Sequence, residues 1–236
     1  MSETPSKSTA KHRKPKIPPT APKRLYLIRH GQSEGQVAKR KGLDRQRDQR
    51  LRDAHLTHEG VRQAIQLVNY DFDQGIPELV VSSPLTRALH TAILGFPNPG
   101  QRILVHYDLA EVGSRVPENT PRPIHQVLKD LEVTDHTIDA LTLLPNTWPT
   151  VLYDGKNNRG KAIRRAMQYL YAERIEETIA VVCHFNVIRE ILEDGASVRP
   201  QNAVPIVCQL YPNGKVKQKV QGNDVLSETR KRLDYC

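Results

Sequence analysis

The chain is poor in cysteine and in aromatic residues, with three cysteines, one tryptophan and 5% aromatics in 236 residues. Cys183, Cys208 and Cys236 are odd in number and lack the close spacing of a metal knuckle. That argues against a disulfide framework or a zinc module, and no metal or cofactor is expected. Two of the three lie in apolar runs, as reduced core thiols do. No apolar stretch nears the roughly 18–20 residues needed to span a bilayer. The N-terminus also lacks an apolar segment of the signal-peptide kind. A soluble cytoplasmic protein without a membrane partner is expected.

What the chain has in excess is positive charge, net +9, and it is unevenly placed. Residues 1–24 carry Lys7, Lys11, Arg13, Lys14, Lys16, Lys23 and Arg24 against Glu3 alone, or +6. The rest of the chain is close to balanced. No aromatic residue is interleaved with these cations, so the segment reads as a solvated tail and not as a nucleic-acid surface. The expected organisation is a basic tail over 1–22, one catalytic domain over 23–222 and a C-terminal tail over 223–236. Oligomeric state is not legible.

From Leu25 onward, short β-rich runs alternate with helical periods. The runs are Leu25–Ile28, Glu78–Val81, Ile103–His106, Ile179–Cys183 and Ile206–Tyr211. Thr57 is a cap for a helix with Val61, Ala64, Ile65 and Val68 on one face, and Ser83-Pro84 opens another carrying Leu85, Ala88, Leu89 and Ala92. Ile163, Ala166, Met167, Leu170 and Tyr171 mark a third, and Val187, Ile188, Ile191 and Leu192 a fourth that stops at Gly195. Strand–helix alternation predicts an α/β fold, a three-layer α/β/α sandwich with a mostly parallel central sheet. Residues 35–56 and 112–158 lack a clear period and read as long loops, candidates for a lid. His55 and His58 read as solvent-exposed, and the charge-mixed stretch around Lys39, Arg47 and Asp53 as a solvated loop.

Several strand runs end in groups suited to an anion. The first delivers Arg29, His30 and Gly31; the second Ser82, Ser83 and, a turn later, Arg87; the third leads to Asp108 and Glu111; the fourth ends at His184. In a parallel sheet these ends share one edge, where open α/β folds bind ligands. Arg29 and Arg87 can grip phosphate oxygens with planar forks. Neighbouring cations would hold His30 neutral and nucleophilic. A protonated His184 would add a donor, Glu111 could protonate a leaving oxygen, and Gly31 would let the backbone approach the phosphate. Arg115 and Arg122, just past Glu111, are candidates to hold the substrate.

The motifs LYLIRHGQSEGQ, LTHEGVRQA, VVSSPLTRALHTA, DLAEVGS and VVCHFNVIRE resemble, in order, the signature blocks of the histidine phosphatase superfamily, the phosphoglycerate mutase-like branch 1. The resemblance implies a phosphohistidine at His30, no metal, phosphate binding by Arg29, Arg87 and His184, and Glu111 as proton donor. Gln32, Ser33 and Gln36 lie beside the implied pocket. Gln32 and Gln36 replace the Glu and Asn of many members, and Phe185-Asn186 replace two small residues after the second histidine. Phe185 is expected to reshape the pocket while its N–H faces the anion. The expected function is metal-independent hydrolysis of a small phosphate monoester. The mutases' insertion after the Glu block is not recognisable, which sets phosphatase above mutase-type transfer. A non-catalytic phosphate-binding module is the reading from another class.

Overall fold

The computed structural model describes residues 21–44, 47–98, 100–111, 116–133, 138–139, 156–193 and 198–219. The tails read from the sequence, Cys236, Arg115 and much of the second long loop lie outside these. Among the described residues no helix is long and apolar enough to cross a membrane.

Seven strands form one sheet: β1 (Lys23–Arg29), β2 (Leu79–Ser82), β3 (Ile103–Val105), β4 (Ile138–Asp139), β5 (Thr178–Cys183), β6 (Pro205–Leu210) and β7 (Val216–Gln218). Their order is β4-β3-β2-β5-β1-β6-β7, and only β6 runs against the rest. The mostly parallel sheet is as expected; β4 and β7 are additions. β7 follows a turn at Pro212-Asn213-Gly214, with Gly214 at φ 77° and its N–H donating to Tyr211 O at 2.9 Å. That is a hairpin signal the periodicity reading passed over.

Alternation along the strands separates two cores. Leu25 and Leu27 of β1, with Val81 and Val181, pack against α5 (Lys156–Ala172) and α6 (Phe185–Ile191) through Ile163, Met167, Leu170 and Ile188. Tyr26 and Ile28, with Val80 and Val182, face α3 (Thr86–Gly95) through Ala88, Leu89 and Ala92, and α4 (Ile124–Asp130) through Val127. A sheet buried on both faces produces the continuous apolar runs seen in the sequence. The three layers are those expected.

The segment 35–56 is not a loop throughout. It contains α1 (Glu34–Arg40), whose capping box joins Ser33 and Gln36, and a 3-10 turn, Gln49–Leu51. Asp53, read as part of a solvated loop, is fully buried at φ 48°. Helix α2 (His58–Gln66) is capped by Thr57 as expected, but its buried face is Gly60, Ala64 and then Leu67. Ile65 and Val68 are about half exposed, at 48% and 49%. Helix α3 begins at Thr86, not directly after Ser83, whose hydroxyl also pairs with His184 Nε2 at 2.7 Å. Its N-terminus is capped from a distance: Asp53 Oδ1 accepts from Thr86 N–H at 2.9 Å, and Oδ2 from the Thr86 hydroxyl at 2.6 Å. α6 closes at Ile191, ahead of Gly195, which lies outside the described residues. The second long loop contains α4 and a 3-10 turn, Pro117–Asn119.

His106, at the end of β3, is buried and its pKa is lowered to about 4, chiefly by desolvation. Between about pH 6.5 and 4 the unfolded chain takes up a proton that the folded chain refuses, so stability falls as pH falls through that window. Replacing His106 by Gln should shrink the loss of unfolding free energy between pH 7 and 5 by roughly 2 kcal/mol. Urea titrations at the two pH values measure it; an unchanged difference would contradict the assignment.

Candidate active site

The ladder carries on past the strand ends and fixes the crevice. His30 N–H donates to Cys183 O at 3.0 Å, Ser83 N–H to Val182 O at 3.0 Å, and His106 N–H to Ser82 O at 2.9 Å. The residues after β1, β5, β2 and β3 are therefore in register with one another. His30 and His184 face each other across this edge with ring centroids 5.1 Å apart. Arg29, Arg87, His184 and His30 are thus brought together, with Glu111 on the same side.

Hydrogen bonds set the tautomer of His30. Nδ1 lies 2.7 Å from Gly31 O, which can only accept, so Nδ1 carries the proton. Nε2 is left with its lone pair and accepts from Arg87 Nε–H at 3.2 Å. Burial holds the His30 pKa well below 6.5, with the Arg87 and Arg29 charges adding to it. The neutral imidazole expected from the sequence is present, but desolvation is its main cause.

Arg87 is buried and its fork is fully directed. Nη1 donates to Glu118 O at 2.6 Å and Nη2 to Asn119 Oδ1 at 2.8 Å. Arg29 donates from Nη1 to Pro200 O at 3.1 Å, and its guanidinium lies 5.1 Å from the centre of the Phe185 ring. Arg189 lies 5.6 Å from the same ring. The Phe185 ring is thus a brace between two cations. Glu111 exerts a field on both Arg29 and Arg87, and its Oε2 accepts from Asn186 N–H at 3.4 Å.

Burial disfavours the charged form of His184. It is fully buried, and desolvation, with Arg87, His30, Arg159 and Arg29 nearby, holds its pKa well below 6.5. Ser83 Oγ accepts from Leu85 N–H at 3.3 Å and so can turn its own proton toward His184 Nε2. When the hydroxyl donates, the proton on His184 is on Nδ1, a buried atom with no hydrogen-bond partner. A neutral histidine can still donate from there.

Gly31 is needed for packing. A Cβ there would lie 2.4 Å from Gly60 O, and one at Gly60 would lie 2.0 Å from Gln32 O. The two glycines let the N-terminus of α2 press against the loop after His30. Ser33 is buried and caps α1, accepting from Gln36 N–H at 3.3 Å, so its hydroxyl serves the helix. Gln32 Oε1 accepts from the Thr57 hydroxyl at 3.1 Å. Gln36 exchanges hydrogen bonds with Asn202, both 3.2 Å, and Asn202 Nδ2 donates to His30 O at 2.6 Å.

Arg122 pairs with Asp53 at 3.3 Å and with Asp130 at 2.5 Å, and donates to Thr86 Oγ1 at 3.0 Å. It braces the start of α3, a place other than the substrate role considered for it. Asp108 is likewise committed, to Arg165 of α5 at 2.9 Å. Asn119, Asn202, Asp53 and the buried Arg159 were missed in the sequence. Amides and acids in aperiodic stretches give no signal there, and Arg159 reads as an ordinary helix cation. Among the described residues no three His, Cys, Asp or Glu side chains come together as a metal site.

The family profile of the histidine phosphatase superfamily (branch 1) matches residues 25–210. A search of curated sequences gave no match. Among solved structures, the alpha-ribazole phosphatase from Shigella flexneri is similar at TM-score 0.57 and 21% identity, over 85% of this chain and 96% of that one. A mycobacterial glucosyl-3-phosphoglycerate phosphatase complexed with VO3 is similar at TM-score 0.52 and 18% identity, over 84% and 96%. Phosphoserine phosphatase from Entamoeba histolytica, in complex with 3-phosphoglyceric acid, is similar at TM-score 0.50 and 18% identity, over 83% and 94%. Identities this low speak for the fold, while the profile covers most of the chain. The chain belongs to branch 1 of the histidine phosphatase superfamily.

Proposed function

We propose that the chain hydrolyses phosphate monoesters in two steps through a phosphohistidine on His30 Nε2. The observation that carries this is the fixed lone pair: Nδ1–H is held by Gly31 O, and Nε2 rests on Arg87 Nε–H in the crevice. A neutral, oriented imidazole is what nucleophilic attack on phosphorus needs. The three solved relatives named above are all phosphatases, which is consistent with this reading.

In the first step the Nε2 lone pair forms the N–P bond while the P–O bond to the leaving group breaks. Glu111, in its protonated form, gives its proton to the departing oxygen. Arg87 Nε–H passes from Nε2 to a phosphoryl oxygen, and Arg29 and His184 Nδ1–H take others. The positive charge that develops on the imidazole is eased by Nδ1–H against the Gly31 carbonyl. In the second step Glu111 takes a proton from water, whose oxygen attacks phosphorus, and Nε2 regains its lone pair. Transfer of this kind depends mainly on positioning and charge stabilisation, which the two guanidinium groups supply.

Replacing His30 by Ala should lower kcat for p-nitrophenyl phosphate by about 10³ or more, as for removal of a covalent nucleophile. A variant retaining wild-type turnover would exclude His30 as the nucleophile. Because burial and Arg87 depress the His30 pKa, the acid limb of the wild-type kcat/KM profile, corrected for ionisation of the ester, should carry no protonation near pH 6.5. An inflection there that vanishes on changing His30 would contradict the neutral buried imidazole.

A further inference from the structure

Ser83 is fully buried beside the second histidine of the crevice. We propose that Ser83 is a positioning residue for the reaction: its hydroxyl donates to His184 Nε2, which leaves the proton of that ring on Nδ1 and turns a donor, in place of a lone pair, toward the phosphoryl group. This rests on the phosphatase reading and adds to it the group that decides what His184 offers.

The direction of the Ser83–His184 bond follows from matching donors to acceptors. A hydroxyl has one proton to give and two lone pairs to receive with. Ser83 Oγ accepts from Leu85 N–H at 3.3 Å, and His184 Nε2 lies 2.7 Å away. The neighbouring hydroxyl, Ser82 Oγ–H, is committed to Ser83 O at 2.9 Å. Of the two partners of Ser83 Oγ only Nε2 can accept, so the proton goes there. Turned elsewhere, the proton of a fully buried hydroxyl would stay unmet at the full desolvation cost of the group. Burial, with Arg87, His30, Arg159 and Arg29 nearby, also disfavours a ring protonated on both nitrogens.

The backbone holds this pair in place relative to the nucleophile. Ser83 N–H donates to Val182 O at 3.0 Å, and His30 N–H to Cys183 O at 3.0 Å. The two residues before His184 are thereby tied to the serine and to the nucleophile in turn. The His184 ring stands 5.1 Å, centre to centre, from that of His30. With Nε2 bonded to Ser83, Nδ1 is the ring nitrogen left over, and it is buried with no hydrogen-bond partner among the described residues. As an N–H it adds a donor to the clamp of Arg29 and Arg87. In the other tautomer it would set a lone pair against phosphoryl oxygens, where charge builds up during transfer. The serine hydroxyl is what separates the two tautomers.

The test reads the tautomer and the turnover of the full chain. With isotope-labelled histidine, long-range nitrogen–proton correlation spectra at neutral pH should show His184 protonated on Nδ1 and bare on Nε2. The signal is assigned by its loss in His184→Ala, and inorganic phosphate should shift the Nδ1–H resonance. Ser83→Ala should move the proton wholly or partly to Nε2. It should also lower kcat/KM for p-nitrophenyl phosphate by about tenfold or more, the scale of one hydrogen bond to a charged group. Ser83 also serves the turn into α3 through Leu85 N–H, so a double-mutant cycle separates the two roles. Added to His184→Ala, Ser83→Ala should cost no more than about a further twofold, because the serine acts through the histidine. A wild-type His184 carrying its proton on Nε2 would overturn the inference without recourse to any variant. An equal loss from Ser83→Ala with and without His184 would also overturn it, marking a serine that only supports the turn. Either result leaves the phosphatase reading standing while the wild type hydrolyses p-nitrophenyl phosphate. Failure of the wild type to hydrolyse any ester would bring down that reading and the inference with it.

Discussion

A permanent positive charge buried against a neutral imidazole is the constraint on which this molecule turns. Arg87 is 3% exposed, and its Nε–H lies on His30 Nε2. Burying a guanidinium costs several kcal/mol unless its donors are met. Here the Glu118 carbonyl, the Asn119 amide and the imidazole meet three of them, and the carboxylates of Glu111, Asp53 and Glu118 supply an opposing field. The same charge adds to burial in keeping a proton off His30. One interaction thus orients the imidazole that the proposed mechanism uses as nucleophile and fixes the guanidinium that it uses to grip the phosphoryl group.

Placing that guanidinium is the work of residues far from it in sequence. Asp53 caps α3 by accepting from Thr86, the residue before Arg87, and Arg122 holds Asp53 from the other side. The 3-10 turn Pro117–Asn119 is tied to the same point, since Asp53 N–H donates to Pro117 O at 3.0 Å. Two stretches that look unstructured by period are therefore bound to each other through the start of α3. On the opposite wall the Phe185 ring steadies Arg29, a contact that a small residue at that position could not make. Cation–π contacts of this sort contribute about 0.5–2 kcal/mol.

Much of this was legible before any coordinates. The apolar run of β1, the Thr57 cap, the α5 stripe and the strand-end residues Arg29, His30, Arg87 and His184 each have a local signature in periodicity or in motif. What was not legible depends on distant pairing. Asp53 looks like one more charge in a polar stretch until the fold puts Thr86 above it. Ser83 looks like a helix cap until His184 claims its hydroxyl. The ring of Phe185 reads as a pocket wall, whereas its faces meet Arg29 and Arg189. The charge of His184 depends on the fold in the same way: complete burial lowers its pKa, and burial is not written in its neighbours. The strand β7 is a different case, since its Asn-Gly turn is a local signal directly after the run Ile206–Tyr211.

The central claim is that phosphorus is taken by Nε2 of His30 because Nδ1 is held by the Gly31 carbonyl. Rapid quenching into alkali during turnover of p-nitrophenyl phosphate, followed by phosphorus NMR and peptide mapping, addresses it directly. The expected result is a single acid-labile phosphohistidine on His30, linked through Nε2. Phosphate on Nδ1, on another residue, or on none while product accumulates in a burst would contradict the account.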